Sequence, residues 1–164
     1  MYDGYLTEKK LGDVLKEIFA DVVPQLTVDL GWRKVRVDYA VKHNGKTYFV
    51  EFNGDLHYKA TKTIDRDRVL KKWCRTNNII LVEIPYFLQL DNRMFVHLFD
   101  INPESLGVDF VQHYPHGFID KKAALPGDFC VAGYKKFIED LSMIGSDFGS
   151  VVSEVFESLI HKIE

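Results

Sequence analysis

Apolar and polar residues alternate along Val35 to Lys42, and Lys46 to Phe52 is rich in β-forming residues, with His43-Asn44-Gly45-Lys46 between the two runs. Asn-Gly flanked by such runs predicts a two-residue type I′ hairpin loop, because both central residues tolerate positive φ. With Asn44-Gly45 as the loop, His43 pairs with Lys46, and continuing the register sets Asp38 opposite Glu51. Their Cβ atoms are then expected about 4.5 to 5.5 Å apart, on a face shared with Arg36, Ala40, Phe49 and Asn53. Val35, Val37, Tyr39 and Val41, with Tyr48, Val50 and Phe52, form the expected apolar face.

Helical spacing dominates on either side. Thr7 is positioned to cap a helix running to about Phe19, with Leu11, Val14, Leu15, Ile18 and Phe19 as its apolar stripe and Glu8 in its first turn, where an acid favours the helix dipole. Pro24 is expected to end the connection before a short strand from Leu26 to Leu30. After a turn-rich stretch at Asn53 to Tyr58, a helix is predicted from about Thr63 to Asn77. Its apolar positions Ile64, Val69, Leu70, Trp73 and Cys74 leave Arg66, Arg68, Lys71, Lys72 and Arg75 on the exposed side. Asp65 and Asp67 sit near its start, where capping is the main expectation, with contact to His57 or Arg68 behind it. Trp32 and Trp73 are expected in the core. Ile79 to Ile84, closed by Pro85, reads as a buried strand reached by a crossover. Farther on, helices are predicted near Asp91 to Phe99, Val131 to Met143 and Phe148 to Ile163. The last carries a wide stripe (Val151, Val152, Val155, Phe156, Leu159, Ile160, Ile163) suited to core packing or a dimer seam.

At 164 residues and 46% hydrophobic content, the chain suits a single α/β domain, a mixed sheet core over about residues 1 to 100 with a helical C-terminal extension. No apolar run reaches membrane-helix length, the start lacks signal-peptide features, and Cys74 and Cys130 are the only cysteines. A cytoplasmic protein with two reduced thiols and no membrane partner is therefore expected.

Charge changes the picture through its placement. The net charge is -3, yet residues 31 to 75 carry twelve Lys and Arg against five acids, a balance of +7, and the rest carries nine against nineteen, or -10. A basic segment on an acidic body is the pattern of a nucleic-acid footprint, or of a merely solvated basic surface. Within that segment, two facing acids need a cation or a proton between them. Mg²⁺, typically held by one or two carboxylates plus waters and phosphates, meets that need, as does a solvated face neutralised by Arg36 or Lys42.

The order of residues adds a resemblance. Asp38, then Glu51-Phe-Asn53-Gly54-x-x-His57-Tyr58, then Asp65-x-Asp67-Arg68 on a helix, then Ile79-x-Leu-Val-Glu-Ile84-Pro85-Tyr86, resembles the PD-(D/E)XK nuclease superfamily over about residues 35 to 87. Within it, the chain is most similar to the branch of very-short-patch repair endonucleases and related phage-type homing endonucleases. The resemblance implies a restriction-endonuclease-like fold and a Mg²⁺- or Mn²⁺-dependent endonuclease acting on double-stranded DNA. Asp38, Glu51 and the Phe52 carbonyl would hold the ion, and hydrolysis would leave 5′-phosphate and 3′-hydroxyl ends. Glu8 matches a helical acid sometimes found in the family.

Asn53 departs from this pattern, standing where the superfamily has a lysine, and an amide neither carries positive charge nor accepts a proton at neutral pH. His57 is then the expected acid or base, since an imidazole exchanges protons near neutral pH, with charge from Lys59 or Lys46 and support from Asp67 and Arg68. Arg36, Lys62, Arg66, Lys71, Lys72 and Arg75 are the expected DNA contacts. Cleavage of a palindrome would call for a homodimer. A DNA-binding module that has lost catalysis is the alternative, and a protein-interaction domain using the acidic C-terminal half is the third reading. His113 to Lys122 is expected to be a surface loop.

Overall fold

The computed structural model describes residues 2–3, 6–88, 90, 92–107, 112–113 and 128–145. The helix expected at Phe148 to Ile163 lies outside them, as does all but His113 of the His113 to Lys122 loop. In chain order the elements are β1 (Tyr2–Asp3), α1 (Glu8–Ile18), β2 (Asp21–Asp29), β3 (Lys34–His43), β4 (Lys46–Asn53), α2 (Leu56–Lys59), α3 (Thr61–Thr76), β5 (Ile80–Pro85), α4 (Asn92–Phe99), β6 (Gln112–His113) and α5 (Val131–Gly145). Strands β2-β3-β4-β5 form a mixed sheet, and β1 pairs with β6 separately. The sheet is antiparallel up to β4, and the α3 crossover returns β5 parallel to it. An α/β fold with a mixed sheet flanked by helices is thus present.

Local chemistry accounts for most boundaries. The Thr7 hydroxyl accepts the Lys10 amide at 3.3 Å and starts α1. Asn44 and Gly45, with φ of 49° and 73°, make the predicted hairpin loop. Pairing then runs in the expected register from His43 with Lys46 to Tyr39 with Val50. Strand β2 is longer than expected and contains Pro24. A proline is tolerated there because β2 is an edge strand, where a missing N–H need not cost a ladder bond.

The predicted division of β3 into two faces fails at one point. Tyr39 and Val41 join Tyr48 and Val50 in the cluster that contains the α1 stripe and Met94, Phe95 and Phe99 of α4. Val35 and Val37 do not join them, but pack with Ala40 and Phe49 against Leu70 and Cys74 of α3. The switch occurs at Asp38, opposite Gln25, which has a left-handed φ of 54°. Gln25 and Asp38 are skipped in an otherwise continuous β2–β3 ladder. Both strands therefore change faces together, and the register survives.

The predicted C-terminal helix α5 docks closely on the core. A Cβ at Gly133 would fall 1.5 Å from the Tyr58 carbonyl oxygen, so only glycine allows this crossing of α5 over α2. Phe137 of α5 completes an aromatic cluster with Tyr58, Phe87 and Phe129. Cys74 and Cys130 are both free thiols, and burial pushes Cys74 up to about 11. Among the described residues, no helix is long and apolar enough to cross a membrane.

Candidate active site

The β3–β4 ladder ends at Tyr39 and Val50, one pair short of Asp38 and Glu51. The next amide along β4, that of Phe52, donates to Asp38 Oδ2 at 2.8 Å. A side chain thus holds the strands where backbone pairing stops. The Phe52 carbonyl accepts the Gly54 amide at 3.2 Å and retains a second lone pair.

Glu51 is buried, 4% exposed, and faces α3. Arg66 of α3 reaches in to Glu51 Oε1 at 3.2 Å and Asp67 Oδ1 at 3.0 Å, and its guanidinium also donates to the Arg36 carbonyl. Arg66 is therefore not on the exposed side where helical periodicity predicts it, because two buried carboxylates draw it off the solvent face. Asp67 is not a cap either. The first turn of α3 holds no acid, and Asp67, itself buried, binds His57 Nδ1 at 2.6 Å. Glu51, Arg66, Asp67 and His57 thus form one connected group from β4, α3 and α2, and Asp38 of β3 lies within electrostatic reach of His57 and Arg66.

Electrostatics in this group reflect crowding of acids away from water. Burial pushes Glu51 up to about 7, with Arg66 opposing the rise and Asp38 adding to it. Burial likewise raises Asp38, offset in part by the Phe52 amide. Glu8, the first residue of α1, is raised by burial and then by Asp38, so it lies within electrostatic reach of that acid. Its carboxylate accepts a hydrogen bond from Gln25 at 2.6 Å.

Asn53 lies beyond this group. It is fully buried, its Nδ2 donates to Glu83 Oε1 at 3.5 Å, and its Oδ1 finds no hydrogen-bond partner among the described residues. Glu83 is the register neighbour of Glu51 on β5. Lys136 of α5 approaches the same Glu83 oxygen at 3.4 Å and Asp140 Oδ2 at 3.4 Å, and Tyr58 donates to Asp140 at 2.7 Å. Burial works against the Lys136 charge, but Asp140 and Glu83 outweigh it and raise its pKa overall.

Lys136 and Asp140 were not singled out from the sequence, and Tyr58 and Glu83 stood in the quoted pattern without an assigned role. Glu83 had a signal, an acid inside the otherwise apolar run Ile79 to Ile84. Lys136 and Asp140 had only helical i,i+4 spacing. Among the other predicted residues, Lys59 pairs with Asp55 at 3.8 Å, and Arg68 pairs with Asp65 at 3.7 Å on the surface. Lys71 lies 3.9 Å from Glu83. Lys62, Lys72, Arg75 and Arg36 are exposed. Lys46 sits at the turn end of the hairpin, away from the acids.

Among the described residues, no group of three or more His, Cys, Asp or Glu is arranged to hold a metal ion. The donor set is smaller, two carboxylates and a carbonyl, and suits an ion that takes its other ligands from water and phosphate. Glu51 and Asp38 are both raised chiefly by removal from water, and Arg66 opposes the rise at each. The chain matches no protein-family model, no curated protein and no solved structure. Any functional reading therefore rests on the residues themselves.

Proposed function

We propose that this chain is a divalent-metal-dependent DNA endonuclease with a restriction-endonuclease-like fold. The observation that carries the reading is the opening of the β3–β4 ladder at Asp38 and Glu51, where two partly desolvated carboxylates stand beside a structured cation, Arg66. A mixed sheet built from this hairpin and the β4–α3–β5 crossover supports the same reading. Asp38, Glu51 and the Phe52 carbonyl would hold Mg²⁺ or Mn²⁺, which when bound supplies charge neutralisation at the phosphate and acidifies water.

The chain's own residues supply the rest. Arg66 holds the Glu51 carboxylate in place and balances its charge. Asp67 fixes the His57 ring through Nδ1, which leaves Nε2 as the atom able to exchange a proton with water or a leaving oxygen. Lys136 neutralises Glu83, the partner of Asn53, and Asp140, rather than the acid pair. Exposed Arg36, Lys62, Lys72 and Arg75 would grip the phosphate backbone of double-stranded DNA.

A second reading, a non-catalytic DNA-binding module on this fold, is favoured by Asn53 and by the engagement of Glu51 with Arg66. Calorimetric titration with Mn²⁺ separates the two. The catalytic reading expects one ion per chain, affinity that strengthens as pH rises through 7 while Glu51 gives up its proton, and loss of binding in Glu51→Gln. Equal Mn²⁺ binding by wild type and Glu51→Gln would favour the module.

A further inference from the structure

Trp32, expected in the core, is 69% exposed. The cause is the β2–β3 turn. The Leu30 amide donates to the Arg33 carbonyl at 2.9 Å, and the Gly31 amide to Asp29 Oδ1 at 2.8 Å. Gly31 adopts a φ of 93°, which a side chain would resist. The turn is therefore locked, and it presents the indole at its tip. An exposed tryptophan on a rigid turn has a large apolar surface in water and little conformational entropy left to lose on binding.

Beneath it runs a groove of about 330 Å³ lined by Leu30, Trp32, Val69, Lys72, Trp73 and Thr76. That volume is at the lower end of small-ligand clefts, about 300 to 1,000 Å³. Trp73 is anchored, its ring stacked on Phe49 at 6.2 Å and 8°. Arg33 lies over the Trp32 ring at 5.4 Å from its centroid, and Lys72 borders the groove. Aromatic faces flanked by Arg and Lys are complementary to a flat base attached to phosphates, and poorly suited to an apolar peptide or an uncharged partner. Trp73 is two helical turns from Arg66, about 11 Å along α3. Phe49 lies two residues from Glu51 on the same strand. The groove and Glu51 therefore share one face of the sheet.

We propose that this groove binds an unpaired nucleobase, stacked on Trp32 and held by phosphate contacts from Lys72 and Arg33. The inference rests on the reading of the chain as a DNA-binding protein and narrows its substrate to DNA containing an unpaired or displaced base. Binding is measured in EDTA by fluorescence anisotropy with three labelled probes: a single strand, a matched duplex, and that duplex with one bulged base. Wild type is expected to prefer the single strand and the bulge over the matched duplex by about tenfold. Trp32→Ala should abolish the preference while leaving matched-duplex affinity and the unfolding curve unchanged, and Trp32→Phe should retain most of it. Quenching of tryptophan emission by the single strand should disappear in Trp32→Ala. If Trp32→Ala binds all three probes like wild type, the proposal fails and the endonuclease reading stands. If wild type binds none of them, both fail. A Trp32→Ala change confined to sedimentation would overturn it in favour of a second copy of the chain covering the groove.

Discussion

At its turn end the β3–β4 hairpin is closed by Asn44 and Gly45 and zipped through five successive pairs. At its other end the same two strands part, and the Phe52 amide goes to the Asp38 carboxylate. The turn end is governed by backbone geometry and is indifferent to charge. The open end is governed by charge: Glu51, Asp67 and Arg66 sit at low exposure, and strand pairing gives way to them. In this molecule the candidate chemistry lies where regular secondary structure stops satisfying the backbone. The stability of the open end should therefore depend on pH, and that of the turn end should not.

The largest expected effect breaks the open end. Arg66→Ala leaves two buried carboxylates without their guanidinium and should cost about 3 to 5 kcal/mol at pH 8. Urea unfolding at pH 5 should show a smaller loss, because Glu51 then takes up a proton. An equal loss at both pH values would mean that Arg66 matters for packing alone.

Glu51→Gln tests the same end with the opposite sign. The folded pKa of Glu51, about 7, is above its ordinary value of 4.5, so folding favours the protonated form. Wild-type stability should therefore fall as pH rises from about 4.5 to 7, by about 3 kcal/mol at most from this group. Glu51→Gln lacks this slope, so it should gain on wild type by that order between pH 4 and pH 8. Parallel stability curves would contradict the assignment.

The smallest effect belongs to the turn end. Asn44→Ala places an ordinary side chain at positive φ and should cost about 1 kcal/mol at every pH. Mn²⁺ affinity should be unchanged. A change in Mn²⁺ affinity would show that the two ends are coupled.

These ends also differed in how readable they were. Asn44-Gly45 announces its turn by residue type, Thr7 announces α1, and the stripe of α3 announces a crossover helix, because each depends on neighbours within a few positions. The face switch at Asp38 depends on Gln25 adopting a left-handed φ across the sheet, and nothing in a glutamine advertises that. Arg66 read as a surface residue because amphipathic periodicity takes no account of a buried acid on another element. Lys136 meets Glu83 from 53 positions away, and only the absence of a side chain at Gly133 permits the approach. Trp32 read as core because hydrophobicity outweighed the turn around Gly31. Asp38, Glu51, His57 and Asp67 were legible as a set because their order, rather than any local propensity, carried the information.

The central claim is that the Asp38–Glu51 opening is a metal-dependent nuclease centre. Its most direct test is incubation of supercoiled DNA with the protein in Mg²⁺, in Mn²⁺ and in EDTA, beside Glu51→Gln. Conversion to nicked or linear DNA by wild type with either metal, none in EDTA, and at least a hundredfold slower conversion by Glu51→Gln is the predicted result. Equal cutting by both proteins, or no cutting by wild type under any condition, would contradict it.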